Sequence, residues 1–168
     1  MKALIVSDSH GLTAELGQLK QKYEGKVDVM IHCGDSELSP QQQELSGYKV
    51  VRGNCDFSSS FPNELIHEAG DIRIFATHGH LYNIKMTLQN ILYKAKEVGA
   101  HVAVFGHSHI MGAEAIDGVL LINPGSILLP RSRREKTYAV LEVKGKEATV
   151  IFYEITGKQV AQETFILG

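Results

Sequence analysis

Tryptophan is missing from this 168-residue chain, cysteine occurs twice, proline four times, and net charge is close to nil, with 17 Lys and Arg against 19 Asp and Glu. Cys33 and Cys55 cannot make a disulfide framework, and they are not spaced as a redox or zinc CxxC motif. The near balance of charge gives no general attraction to nucleic acid or to an anionic membrane, so any anion must be drawn by a local site. No stretch reaches the ~18 apolar residues of a membrane span. The opening Met1-Lys2-Ala3-Leu4-Ile5-Val6 is too short for a signal-peptide core and runs at once into polar residues without a small-residue cleavage site. A cytoplasmic location is the default expectation. Neither a polar desert nor a Pro-rich tract interrupts the chain, and 43% hydrophobic with 21% charged residues lies near globular averages, which argues against disorder. The length suits one domain over residues 1–168, able to bury a core without disulfides or a structural metal.

Lys2 to Ser7 is a short apolar run of the kind that forms a buried strand. Leu12, Leu16, Leu19 and Tyr23 then recur at helical spacing, with Thr13 as a candidate N-cap and Gly25 as a stop. Val27 to Cys33 and Tyr48 to Arg52 are predicted strands, with a short helix over Pro40 to Leu45 between them. Ile72 to Thr77 is a further strand, and Ile84, Leu88, Ile91, Leu92, Ala95 and Val98 make one apolar helical face ended by Gly99. Val102 to Phe105 follows as a strand. Beyond His109 the pattern turns to β segments: Met111 to Ile116, Val119 to Asn123, Thr137 to Lys144, Glu147 to Tyr153 and Gln159 to Ile166. Asp117-Gly118, Lys144-Gly145-Lys146 and Thr156-Gly157-Lys158 supply the hairpin-like turns. The expectation is two packed sheets with helices outside and no internal repeat.

Five polar clusters directly follow predicted strands: Asp8-Ser9-His10, Gly34-Asp35, Gly53-Asn54-Cys55-Asp56, His78-Gly79-His80 and Gly106-His107-Ser108-His109. In open α/β sheets ligands gather beyond the carboxyl ends of strands, so clusters distant in sequence can meet in one crevice. Asp8 and His10 are two apart, which puts both side chains on one side of an extended segment, and His107 and His109 repeat the spacing. With Asp35, Asn54 and His78 they make seven oxygen and nitrogen donors, more than one tetrahedral ion needs and enough for two ions sharing a bridging carboxylate, for which Asp35 is the natural choice. Imidazole and carboxylate donors favour manganese, iron, zinc or nickel over calcium.

In this order, Asp8-x-His10, Gly34-Asp35, Gly53-Asn54, His78 and Gly106-His107-x-His109 resemble the signature of calcineurin-like metallophosphoesterases. With Asn123-Pro124-Gly125-Ser126 after the last cluster and so short a chain, the sequence is most similar to the small bacterial and archaeal phosphodiesterase branch. The resemblance covers nearly the whole chain and implies a four-layer αββα sandwich of two mixed sheets flanked by helices. It implies a dinuclear hydrolase, manganese being the first choice of metal. Asp8, His10, Asp35 and His109 would hold one ion, and Asp35, Asn54, His78 and His107 the other. A hydroxide shared by the ions would attack a phosphate ester, most readily a small phosphodiester, while Asn54 and His107 assist as donors or orienting ligands. Where the broader superfamily commonly follows Gly-Asn with His, a proton donor to the leaving oxygen, this chain has Cys55; Asp56 or His80 is then the alternative acid.

Other readings remain in competition. A non-catalytic interaction scaffold resembling the retromer subunit has lost ligand residues, whereas here all seven are present. A small nuclease would carry a basic track, and only Arg131, Arg133 and Arg134 cluster, either steering a phosphate or nucleotide or simply facing solvent. A metallo-β-lactamase-like hydrolase needs a compact HxHxDH cluster, which is missing. His32, His67 and His101 read as ordinary polar residues, His80 as a supporting residue or a loop cap, and Cys33 as a small buried residue.

Overall fold

The computed structural model describes all residues 1–168. Its elements in chain order are β1 (Lys2–Val6), α1 (Ala14–Tyr23), β2 (Val29–His32), β3 (Tyr48–Val50), β4 (Glu64–Ala69), β5 (Ile72–Thr77), α2 (Gln89–Glu97), β6 (Val102–Val104), β7 (Gly112–Ile116), β8 (Val119–Asn123), β9 (Thr137–Lys144), β10 (Glu147–Glu154) and β11 (Gln159–Ile166). One sheet runs β11-β10-β9-β1-β2-β3 and the other β4-β5-β6-β8-β7. Each is mixed: β1, β2 and β3 are parallel, as are β5, β6 and β8, while the remaining pairings are antiparallel.

Alternation along β1 shows why four layers form. Ala3 and Ile5 point into a core between the two sheets, where they share a cluster with Ile74, Ala76, Val104 and Ile122. Leu4 and Val6 point the other way, against Leu16 and Leu19 of α1. On the far side of the second sheet Phe75, Ala103 and Leu121 meet Ile91, Leu92 and Ala95 of α2. A strand covered on both faces reads as an unbroken apolar run, because alternation then carries no polar signal. The result is the expected αββα sandwich.

Several boundaries differ from the sequence expectation. The helix projected over Ile84 to Val98 begins only at Gln89; Ile84 and Leu88 reach the α2 cluster from a loop in which Asn83 turns left-handed at φ 52°. Apolar spacing alone cannot tell a helical turn from a loop folded onto the same face. The segment Pro40 to Leu45 shortens to one 3₁₀ turn, Gln43–Leu45. Thr13 flanks α1 but makes no capping hydrogen bond. β4 has no counterpart in the sequence expectation: it is an edge strand with Ile66 exposed, charged and half-buried residues mask its alternation, and it pairs with β5 through a Gly70-Asp71 hairpin.

The sheets bring six carboxyl strand ends to one rim. β1, β2 and β3 lead to Asp8, Asp35 and Asn54. β5 and β6 lead to His78 and His107, and β8 leads to Asn123-Pro124-Gly125-Ser126.

Candidate metal centre

At that rim two buried carboxylates are each half committed. Asp8 Oδ2 accepts the Ser7 hydroxyl at 2.6 Å and the His107 backbone N–H at 3.0 Å. Its Oδ1 is buried without a hydrogen-bond partner and faces three imidazole Nε2 atoms, of His109 at 3.1 Å, His10 at 3.7 Å and His78 at 3.8 Å. Asp35 Oδ1 accepts the Cys55 backbone N–H at 2.8 Å, and its Oδ2 lies 3.1 Å from His78 Nε2. In each case the protein holds one oxygen and leaves the other to the cleft.

Two of the histidines have their tautomer fixed. His78 Nδ1 donates to the Cys33 carbonyl at 2.7 Å, and His109 Nδ1 donates to the Leu129 carbonyl at 2.7 Å. A neutral imidazole has one donor and one acceptor nitrogen, so both Nε2 lone pairs are aimed at the carboxylates. His78 Nε2 is buried and has no hydrogen-bond partner. Donors bound at about 2.0–2.2 Å to one ion stand roughly 3 Å apart at right angles. The spacings of 3.1 Å between Asp8 and His109, 3.3 Å between His10 and His109, and 3.1 Å between Asp35 and His78 fit such a group. Three overlapping sets of donors arise: Asp8, His10 and His109; Asp8, Asp35 and His78; and His10, Asp35 and Cys55.

Electrostatics agree with a place for cations. Burial pushes the Asp8 carboxyl up, but His10, His109, His78 and Ser7 outweigh it and hold the group well below the carboxylate range. For Asp35, burial is likewise outweighed, chiefly by His78. Asp8 raises His10, and His78 is raised by Asp35 and Asp8 against its burial. The carboxylates thus stay ionised and the cleft attracts positive charge.

The remaining expected residues are placed around this nucleus. The His107 ring stands 5.1 Å from the His78 ring, and burial, His78 and Lys85 push it down to about 4. Asn54 is exposed, with its amide 3.6 Å from Cys55 Sγ. His80 is half-buried beside His78 at 5.4 Å between ring centroids, with a buried Nδ1 lacking a partner. Asp56, considered above as a proton donor, is engaged otherwise: Oδ2 accepts the Gly53 and Asp35 N–H groups at 2.6 and 2.9 Å, and Oδ1 accepts that of Glu37 at 2.9 Å. That carboxylate clamps the Asp35 loop to the Gly53 loop. Burial and the neighbouring carboxylates push the Cys55 thiol up to about 11, so it is neutral near pH 7.

The rim is backed by residues whose part in it no sequence pattern reveals. His32 is wholly buried behind the first two loops; its Nδ1 accepts the Gly34 N–H at 3.1 Å, which leaves Nε2 to donate to Ser9 Oγ at 2.8 Å. One imidazole thereby ties the Asp8-Ser9-His10 segment to the Gly34-Asp35 turn. Ser126 Oγ donates to the Asp8 carbonyl at 2.7 Å, and the Asn123 amide donates to the Gly106 carbonyl and Ser108 Oγ at 3.1 and 3.0 Å. Glu37 Oε2 lies 3.4 Å from His10 Nδ1. His32 sits inside a predicted strand, where nothing separates a loop-tying histidine from a core one. His67 and His101 lie away from the rim, on β4 and just before β6.

Five of the expected ligands carry positive φ: Asp8 (54°), His10 (43°), Asp35 (58°), His107 (71°) and His109 (61°). This region is uncommon for residues other than glycine, and its recurrence at functional sites reflects a backbone held there by its surroundings. Gly106 matters for lack of a side chain: a Cβ there would overlap Ser7 Oγ and Asp8 Oδ2, so only glycine lets the His107 loop close on Asp8.

Fold and centre together define a metallophosphoesterase. The calcineurin-like phosphoesterase superfamily domain matches residues 1–146, and the chain belongs to that family. It is 52% identical over 160 residues to the probable metallophosphoesterase YsnB of Bacillus subtilis, covering 95% of each chain. It is 31% identical to the phosphodiesterase YfcE of Escherichia coli, over 84% of this chain and 88% of that one. The crystal structure of a predicted phosphoesterase from Streptococcus pneumoniae superposes with a TM-score of 0.95 at 36% identity, covering 98% of this chain and 97% of that one. No helix is long and apolar enough to cross a membrane.

Burial pushes His32 down to about 4, below its ordinary ~6.5. The unfolded chain therefore takes up this proton first, and the native state loses stability as pH falls from about 6.5 toward 4, by at most about 1.4 kcal/mol per pH unit. Urea unfolding at pH 7 and pH 5 without added metal checks this: between the two, the native protein should lose stability relative to His32→Asn.

Proposed function

We propose that the chain is a phosphodiesterase working with two divalent cations at this rim, manganese first, with nickel, iron or zinc as alternatives, on a small phosphodiester. The observation that carries the reading is the pair of half-committed carboxylates facing imidazole nitrogens whose far sides are tied to carbonyls. Asp8, His10, Asp35 and His109 would hold one ion, and Asp35, Asn54, His78 and His107 the other. When bound, such a pair supplies Lewis acidity, offsetting phosphate charge and lowering the pKa of water.

The chain's own residues supply the rest. The Asn54 amide, exposed at the edge, can donate to a phosphate oxygen, and the neutral His107 imidazole is suited to donate or to ligate. Cys55 stands where an imidazole would protonate a leaving alkoxide, and its thiol holds its proton too tightly to replace it well. His80, whose buried Nδ1 has no partner and whose ring centroid stands 5.4 Å from that of His78, is the remaining candidate donor. The YfcE likeness supports diester substrates. An intact donor set speaks against a non-catalytic scaffold, and the exposed Arg131, Arg133 and Arg134 make no track for a nucleic acid. One domain over residues 1–168 and a cytoplasmic location, supported by the free Cys33 and Cys55, complete the reading.

Hydrolysis of bis(4-nitrophenyl) phosphate should vanish on chelation and return with manganese; full turnover after verified metal removal would overturn the reading. Because His10 and His78 are raised above their ordinary ~6.5, protons compete for the site early, and metal affinity should fall as pH drops through that range. Asp35→Asn weakens both ions and should lose more metal and activity than His109→Asn, by about 10-fold or more in kcat/KM; equal losses would remove Asp35 as the bridge. In a series of aryl diesters graded by leaving-group pKa, Cys55→His should raise the rate on the poorest leaving groups by about 10²-fold. An unchanged slope would show that another residue already donates the proton.

A further inference from the structure

Beside the centre lies a cavity of about 570 Å³ that the proposed hydrolysis does not use. It starts at Ser108, between His107 and His109, and runs along the outer face of β7 and β8 toward the loop before α2. Ile84, Leu88, Phe105, Ile110, Met111 and Leu121 give it an apolar body. Lys85, Arg131 and Glu114 also line it, and none of the three forms an ion pair.

The strand register explains why the space is there. In the antiparallel β7–β8 pair Gly112 faces Asn123 and Glu114 faces Leu121, so all four share the outer face. Asn123 turns its amide to the Gly106 carbonyl and Ser108, and Gly112 has no side chain. A Cβ on Gly112 would meet no atom within 4 Å, and its φ is not in the left-handed region, so neither crowding nor backbone conformation demands glycine. What the glycine preserves is the cavity. Its volume falls in the ordinary range for organic ligands, about 300–1,000 Å³.

We propose that this cavity is a substrate subsite, built to receive one ester arm of a phosphodiester in which that arm is an apolar, ring-sized group bearing a further negative charge. The proposal rests on the phosphodiesterase reading for the position of the phosphorus. Ser108, which lines the cavity, stands in the loop between His107 and His109, so on the phosphodiesterase reading an ester arm of a diester held at the centre would pass this loop to enter it. The apolar walls take the ring. Lys85 and Arg131 against Glu114 leave one net positive charge to meet the added anion, and the Arg131 N–H is anchored to the His109 carbonyl at 2.9 Å. Arg133 and Arg134, although exposed beside Arg131, do not line the cavity and have no part in it.

The test measures binding to the manganese-loaded protein by calorimetry, using methyl-, benzyl- and 4-carboxybenzyl-substituted methylphosphinic acids, which have no ester bond to hydrolyse and carry one negative charge at phosphorus as a diester does. Benzyl should bind about tenfold or more tighter than methyl, as expected for burying a ring. The carboxylate should add about threefold or more through the cations. Gly112→Leu, which fills the space, should remove the benzyl step, and Lys85→Gln only the carboxylate step. Should Gly112→Leu fail to fold, Ile110→Ser at the exposed wall carries the same test with a smaller loss of the benzyl step. Equal affinities for methyl and benzyl, or a benzyl step that survives in folded Gly112→Leu, would overturn the subsite. Turnover of bis(4-nitrophenyl) phosphate is followed in parallel. A flat affinity series with turnover present removes the subsite alone, and a graded series without turnover removes the phosphodiesterase reading alone.

Discussion

Two ionised carboxylates buried beside each other are the constraint around which this molecule is arranged. Asp8 and Asp35 are almost wholly inaccessible, and an uncompensated buried charge is costly. The protein meets part of that cost with directed donors: the Ser7 hydroxyl and the His107 and Cys55 N–H groups. It withholds the rest, since Asp8 Oδ1 and His78 Nε2 remain without a partner. An unsatisfied acid oxygen facing an unsatisfied imidazole nitrogen is poor design for stability alone and sound design for gripping a cation between them.

That arrangement demands convergence from distant chain segments, and the sandwich supplies it. Parallel β1, β2 and β3 in one sheet and β5, β6 and β8 in the other all end at the same rim, so each strand contributes a short polar loop and no element crosses the site. A second layer of contacts then fixes loop to loop. His32 joins the first to the second, Asp56 the second to the third, Asn123 the last to the Gly106 loop, and Ser126 the last to the first. All of these links but that of His32 to the Ser9 hydroxyl join side chain to backbone, which sets the position of whole segments and not merely of one rotamer.

Much of this is legible in the residues, for identifiable reasons. Buried parallel strands make unbroken apolar runs followed by polar clusters, so β1, β2, β5 and β6 and the polar clusters attached to them are read together. β9 and β11 emerge with their full bounds because hairpin turns frame them. The failures share a cause as well. β4 is an edge strand whose charges mask alternation, and the start of α2 is hidden because Ile84 and Leu88 reach the helix cluster from a loop. His32 and Asp56 look like any core histidine and any turn carboxylate, since their work lies in which backbone N–H they meet across 2 to 21 residues of chain. Gly112 is silent for the opposite reason: its contribution is an empty volume, and sequence patterns report what side chains fill.

Backbone conformation shows why so much support is needed. Five proposed ligands sit at positive φ, each costing about 1 kcal/mol or somewhat less for Asp and His, which tolerate the region better than most. Their sum is comparable with a good part of the 5–15 kcal/mol that typically separates native from unfolded domains. A loop with its own freedom would relax out of that conformation. Here each strained residue is pinned by a bond to another loop: Asp8 N–H donates to the Gly34 carbonyl at 3.0 Å, His10 N–H to the Asp35 carbonyl at 2.9 Å, and Asp35 N–H to Asp56 at 2.9 Å. Releasing any one of these strained turns therefore breaks a contact on which its neighbour relies. Three apolar clusters, between the sheets and beneath each helix, hold the strand ends in register while this is done. The division of labour follows: the cores carry the stability, and the rim spends part of it to keep donor atoms about 3 Å apart, the spacing that ligands of one cation adopt.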